Sequence, residues 1–261
     1  VRCFIALPLP SEARLALASV VEELSRRWPR LSWARGEGYH VTLAFLGEIE
    51  EAGAECAAGA LARLAEPAFS FRFAGLGGFP PAGPWRVLYA GLDDRPERGT
   101  DQAGEPGPMA RLYRSVNEAL FDCARERGLP ILNPDWRAGS GSAGGGPSGG
   151  SGGGAGARGG GGGGGRVFSP HVTLARVAQR RRGKKDGYEA QLRDEKARPR
   201  PLDFIHMTPN IESRLAGLWT IDSCVLYKSD LKAGGAVYTE LNRVALEHGR
   251  QTSSGADTRG T

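Results

Sequence analysis

Cysteine is sparse and scattered in this chain of 261 residues. Cys3, Cys56, Cys123 and Cys224 form no CxxC pair and lie near no histidine at zinc-ligand spacing. That excludes a zinc-ribbon framework and predicts four reduced, buried thiols in a cytoplasmic protein. Long apolar runs are missing too. The opening "VRCFIALPLP" is broken by Pro8 and Pro10 before it reaches the length of a signal peptide or a bilayer span, so no membrane association is expected. Charge of one sign is only slightly in excess: the net charge of +5 and pI near 9.2 suit an anionic partner without requiring one. Histidine is scarce, with four in the whole chain, and two of them sit in an identical pentapeptide.

Glycine is the exception to this sparseness. Most of the excess among the 40 glycines falls between 139 and 165, a tract of Gly, Ser and Ala that cannot offset the entropy of ordering. It reads as a disordered insertion. Enlarging a loop from about four to about 27 residues costs only ~1.7 kcal/mol, so a fold can carry it. The expected organisation is a single bilobal domain over 1–250 and a flexible tail over 251–261.

Around the tract the pattern alternates between strand and helix. "RCFIALPL" reads as a buried strand, and Ser11 offers an N-cap to a helix marked by Leu17, Val20, Val21, Leu24 and Trp28. "HVTLAFL" alternates like a strand, and "EEAGAECAAGALARLA" reads as a helix. "FSFRFAGLGGF" and "WRVLYAGL" read as strands, and Met109, Leu112, Val116, Leu120 and Cys123 mark a third helix ending near Gly128. "LWTIDSCVLYKSDL" and "GAVYTELNRVAL" are later strand candidates. The mixture predicts an α+β fold with two pseudo-equivalent lobes.

HVTLA occurs at His40–Ala44 and again at His171–Ala175. In a strand, residues two apart share a face. Val41 and Leu43, and likewise Val172 and Leu174, therefore point to a core. His40 with Thr42, and His171 with Thr173, then project together on the other side. Each strand presents a proton carrier beside a hydroxyl suited to a phosphate oxygen. Two histidines can divide acid and base roles in transfer at phosphorus, one protonated and one neutral, with no metal or cofactor. A single HxT is a weak signal: His206-Met207-Thr208 is a third copy, without the Leu-Ala continuation and followed by Pro209. Tyr39, Phe45 and Phe168 flank the motifs, suited either to stacking on a base or to packing in the core. The basic run Arg180, Arg181, Arg182, Lys184 and Lys185 suits either an RNA backbone or a solvated loop.

These residues resemble the 2H phosphoesterases, and within them the RNA 2′,3′-cyclic phosphodiesterases once called 2′,5′ RNA ligases. "RCFIALPLP", "YHVTLAFLGEI", "FSPHVTLAR" and "VLYKSDLKAGGAVYTEL" carry the resemblance. It implies two pseudo-symmetric lobes, each a mainly antiparallel sheet with outer helices, and HxT motifs facing a central cleft. It also implies hydrolysis of a terminal 2′,3′-cyclic phosphate on RNA or an oligonucleotide to a 2′-phosphomonoester, by a monomer needing no protein partner. His40 would be the proton donor and His171 the proton acceptor. Thr42 and Thr173 would bind phosphate oxygens, and Arg176 would neutralise charge; Phe45 is a further substrate-binding candidate. Strict alternation, however, places Arg176 on the face opposite His171. The competing readings are 2′,5′ RNA end joining, opening of another cyclic phosphate, and a noncatalytic RNA-binding protein.

Overall fold

A computed structural model of the chain describes residues 1–81, 85–95, 105–133, 168–177, 208–232 and 235–247. The glycine tract, the basic run, His206 and the C-terminal tail lie outside the described residues.

Among the described residues, nine strands form one antiparallel, curled sheet with the helices packed on it. In chain order the elements are β1 (Arg2–Pro8), α1 (Ser11–Arg27), β2 (Leu31–Trp33), a 3-10 turn (Gly36–Gly38), β3 (His40–Glu48), α2 (Glu51–Ala62), β4 (Phe69–Phe79) and β5 (Val87–Asp93). They continue with α3 (Pro108–Glu126), β6 (His171–Val177), α4 (Thr208–Arg214), β7 (Trp219–Ile221), β8 (Ser223–Lys232) and β9 (Gly235–Ala245). The sheet order is β7-β4-β5-β6-β3-β1-β8-β9, with the short β2 added on β6. The two motif strands, β3 and β6, lie side by side at its centre.

The halves on either side of that centre match in register. On one side Phe4, Ile5, Ala6, Leu7 and Pro8 pair with Phe45, Ala44, Thr42, Val41 and His40. On the other, Val87, Leu88, Tyr89, Ala90 and Gly91 pair with Arg176, Ala175, Thr173, Val172 and His171. Both ladders skip one residue at the same place, Leu43 in β3 and Leu174 in β6. The halves are not contiguous in sequence. β4 crosses to pair with β5, and the chain returns only at β8 to pair with β1. Each half is therefore completed by a strand from the other part of the chain.

α1 buries Ala13, Leu17, Val20, Val21 and Leu24, and α3 buries Met109, Leu112, Val116, Leu120 and Cys123, the stripes their spacing requires. They join Ile5, Leu7, Val41, Leu43, Val172 and Leu174 in one core. Two local expectations are corrected. α1 starts at Ser11 itself, with Pro10 in the cap position and no side-chain cap bond. Cys56 and Cys123 are not free thiols: they are joined by a disulfide between α2 and α3, with Cα atoms 5.9 Å apart. The packing of α2 on α3 brings these two members of the buried helix faces within reach of each other. Cys3 and Cys224 are free and buried.

Candidate active site

The site is set by a single bridge between the motif strands. Val41 opposes Val172, and both side chains are buried in the core. In an antiparallel pair this register puts His40 across from Thr173 and Thr42 across from His171 on the opposite face, where directly opposed Cβ atoms lie about 4.5–5.5 Å apart. The four side chains form a diamond with a histidine at two opposite corners and a threonine at the others. This is the one bridge between the two strands among the described residues, and beyond it β2 takes the edge of β6, at Ala175–Val177.

Both rings are held the same way. His40 Nδ1 is 2.6 Å from the carbonyl oxygen of Gly38, and His171 Nδ1 is 2.8 Å from that of Ser169. A carbonyl only accepts, so each Nδ1 carries a hydrogen and each Nε2 is left for a ligand. Burial depresses the His40 pKa below its ordinary value. The Gly38 bond partly opposes this, and the positive character of His171 and Arg176 adds to the depression. Burial also lowers the His171 pKa, against the Ser169 bond and together with Arg176. Neither Thr42 nor Thr173 hydroxyl has a hydrogen bond among the described residues.

Arg176 stands where alternation alone does not put it. The residue skipped at Leu174 is a β-bulge: Leu174 and Ala175 are both buried, and the phase of the strand flips. Arg176 thereby returns to the face of His171 and Thr173, close enough to act electrostatically on both histidines. The carbonyl of Leu174, thrown out of the ladder, accepts a hydrogen bond from the Ala34 N–H at 2.8 Å. The bulge at Leu43 does the same for Phe45, which stands at the position equivalent to Arg176 and is 63% exposed. The Leu43 carbonyl is met by the side chain of Asn117, a fully buried polar residue of α3, at 3.5 Å. One lobe thus offers a ring and the other a cation at matching places.

The other flanking aromatics do not face the cleft. Tyr39 is 2% exposed within the core, which pushes its phenol pKa up to about 12. Phe168 stacks on Tyr113 at 4.4 Å, away from the motif face. The rings that do wall the site were not singled out by sequence. Phe4 and Tyr238 lie 4.9 and 5.3 Å from His40, with Tyr227 at 6.3 Å. Tyr89 and Phe79 lie 5.2 and 5.5 Å from His171. The signal for one pair was present: a hairpin turn between "VLYKSDLK" and "GAVYTEL" puts Tyr227 and Tyr238 on one face. Glycines make room on the other side. A Cβ on Gly77 would come 2.6 Å from the Tyr89 ring.

A family model for LigT-like phosphoesterases matches residues 7–89, which hold the first motif. An RNA 2′,3′-cyclic phosphodiesterase of Thermus thermophilus is 29% identical over 99% of this chain and 98% of its own length. Over residues 7–89 the chain is similar to the LigT-like phosphoesterases. Proteins of the same name from Geobacillus stearothermophilus and Thermotoga maritima are 36% and 32% identical, over 45% and 46% of this chain. Those two matches span 35% and 59% of the relatives' lengths. Among solved structures, TT0787 of Thermus thermophilus shares the fold with a TM-score of 0.59 at 23% identity, covering 95% of this chain and all of that one. Escherichia coli LigT shares it with a TM-score of 0.51 at 20% identity, covering 95% and 98%. The protein shares with these structures a two-lobed α+β fold, with its motif strands neighbours at the centre of the sheet. Among the described residues, no helix is long and apolar enough to cross a membrane.

Proposed function

We propose that this protein is a phosphoesterase that hydrolyses terminal 2′,3′-cyclic phosphates on RNA or oligonucleotides, releasing a 2′-phosphomonoester. The observation that carries the reading is the Val41–Val172 bridge, whose register supports two Nδ1-anchored imidazoles on one face, each beside the other strand's threonine. Three relatives named for this activity support the substrate class.

In the proposed reaction a water oxygen attacks phosphorus while its proton passes to Nε2 of neutral His171. The P–O3′ bond breaks on the opposite side, and Nε2–H of protonated His40 gives its proton to the departing 3′ oxygen. The products are a 3′-hydroxyl and a 2′-phosphate, and the two histidines have exchanged charge. Thr42 and Thr173 donate to the non-bridging oxygens. Arg176 meets the charge that grows on them. The depressed pKa values leave both imidazoles neutral near pH 7, with Arg176 as the charge beside them. An entering phosphate anion favours the imidazolium, so the acid is charged when substrate is present. Exposed Phe45 offers a face for the terminal base on the His40 side, where the nucleoside must lie if His40 serves its 3′ oxygen.

The test is turnover of an oligoribonucleotide ending in 2′,3′-cyclic phosphate, with the product phosphate position assigned by ³¹P spectroscopy. His40→Ala and His171→Ala are each expected to lower kcat by ~10² or more. Wild-type turnover in both variants, or a 3′-phosphate product, refutes the reading. RNA binding without hydrolysis that survives the double substitution would indicate a binding protein instead.

A further inference from the structure

The two histidines come from identical pentapeptides on strands of equal register, yet their surroundings differ. Matching the halves pairs Phe4 with Val87 and, one strand further out, Tyr227 with Phe79. Each imidazole therefore has an aromatic ring from the equivalent outer strand. The outermost strands break the symmetry. β7 has three residues and pairs with the far end of β4, at Phe69–Phe71. β9 has eleven residues and runs alongside β8 to the level of the site. From it Tyr238, opposite Ser229 and 38% exposed, lays its ring against the His40 group at the rim of the site. Among the described residues, nothing in the His171 half corresponds to it.

The Tyr238 ring touches each part of the His40 arrangement. It meets the imidazole edge-on, at 5.3 Å and 84°, and meets Phe4, the floor beneath the imidazole, at 5.0 Å and 74°. It also lies on Gly38, where an added Cβ would come 3.2 Å from Tyr238 Cε2. Gly38 is the residue whose carbonyl takes the His40 Nδ1 hydrogen. We infer that Tyr238 is a positioning residue for His40: its ring clamps the imidazole and the Gly38 peptide together, presents Nε2 to the cleft, and makes the two histidines of the duplicated motif unequal. This rests on the paired-histidine reaction proposed above, and it adds a residue that acts through His40 without touching the phosphate. The ring acts through its faces and edges, so the hydroxyl is dispensable. The other groups acting on His40 are His171 and Arg176 of β6, and beyond them Tyr227 of β8, which is influenced by Glu240, Arg243 and Arg14. Substituting Tyr238 leaves all of these in place.

The experiment compares Tyr238→Ala, Tyr238→Phe and Gly38→Ala with wild type, using kinetics on a cyclic-phosphate oligonucleotide and imidazole titration by NMR. Only four histidines need to be assigned. Tyr238→Ala is expected to lower kcat about tenfold with KM within about twofold, because the acid is misplaced while phosphate contacts remain. His40 should titrate at higher pH as water reaches its ring, with His171 unmoved. Tyr238→Phe should restore both readouts. Gly38→Ala, which presses on the ring from beneath, should move His40 in the same direction. The inference is overturned if His40 titrates as in wild type in Tyr238→Ala, or if His40 and His171 shift together. The NMR readout needs no substrate. A selective His40 shift in an enzyme that ignores cyclic phosphates would uphold the clamp and remove the proposed reaction.

Discussion

Asn117 is the residue on which the strongest energetic prediction rests. It is fully buried on α3, and its amide nitrogen lies 2.7 Å from the Tyr113 carbonyl and 3.5 Å from that of Leu43. Its oxygen accepts from the Asn133 amide at 2.6 Å. Asn117→Leu keeps the branched four-atom side-chain skeleton and removes the polar partner. The Leu43 carbonyl, already out of the ladder at the bulge, is then buried without a donor, which costs about 1–3 kcal/mol. Asn133 is half-buried and recovers part of its bond through water, while the new apolar side chain returns roughly 1 kcal/mol. The net expectation is a loss of about 1 kcal/mol in urea unfolding at unchanged m, with a midpoint temperature lower by about 2–4 °C. Asn117→Asp should be worse although it is closer in shape, since it aims a carboxylate at two carbonyl oxygens with no cation beside it. Catalysis should fall as well, because the bulge sets the direction of Phe45. A loss under about 0.5 kcal/mol with unaltered kcat/KM, or Asp tolerated better than Leu, would refute the assignment of Asn117 as the partner of the bulge.

The depressed histidine pKa values make a pH prediction with a definite sign. Folding favours the neutral rings, so this contribution to stability is complete above about pH 6.5 and is lost as the pH falls through the window between that value and the lower folded pKa values. Inorganic phosphate should recover part of the loss at acid pH, as measured by thermal unfolding; phosphate that leaves the acid limb unchanged would argue against an anion site between the rings. Arg176→Ala should reduce kcat by ~10²-fold and let both imidazoles titrate at higher pH, since its charge bears on both; Lys should rescue the titration better than the rate. Gly77→Ala should cost about 1–3 kcal/mol and weaken catalysis, because the new methyl would lie 2.6 Å from Tyr89 atoms and the ring beside His171 must leave. Normal denaturation and normal rates in that variant would show that Tyr89 has room elsewhere.

Much of the local structure was legible because its causes are local. The stripes of α1 and α3, the alternation of β3 and the outward pairing of His with Thr follow from side-chain period alone. β2 and α4 were not anticipated. β2 is three residues long, too short to show alternation, and exists because β6 offers it an edge. α4 spans seven residues and packs on α1. The aromatic walls were missed for a related reason: Phe4, Phe79, Tyr89, Tyr227 and Tyr238 come from five strands, and only pairing brings them to two imidazoles. Tyr39 and Phe168 are close in sequence to the motifs but packed elsewhere, so nearness along the chain was a poor guide to nearness in the site.

What the chain alone determined was the chemistry on each strand: an imidazole and a hydroxyl two residues apart, written twice, with valine and leucine to bury the other face. What the tertiary structure decided was how those groups meet. Register is a relation between two strands, and the bridge of Val41 to Val172 is what opposes each histidine to the other strand's threonine. A bulge is likewise a mismatch with a neighbour, invisible in one strand's own pattern, and it alone returns Arg176 to the face of His171 and Thr173. The different surroundings of the two histidines came last, Phe4 and Tyr238 beside one and Tyr89 and Phe79 beside the other, each brought there by strand pairing. An identical pentapeptide cannot encode that difference, because it lies wholly in what surrounds each copy.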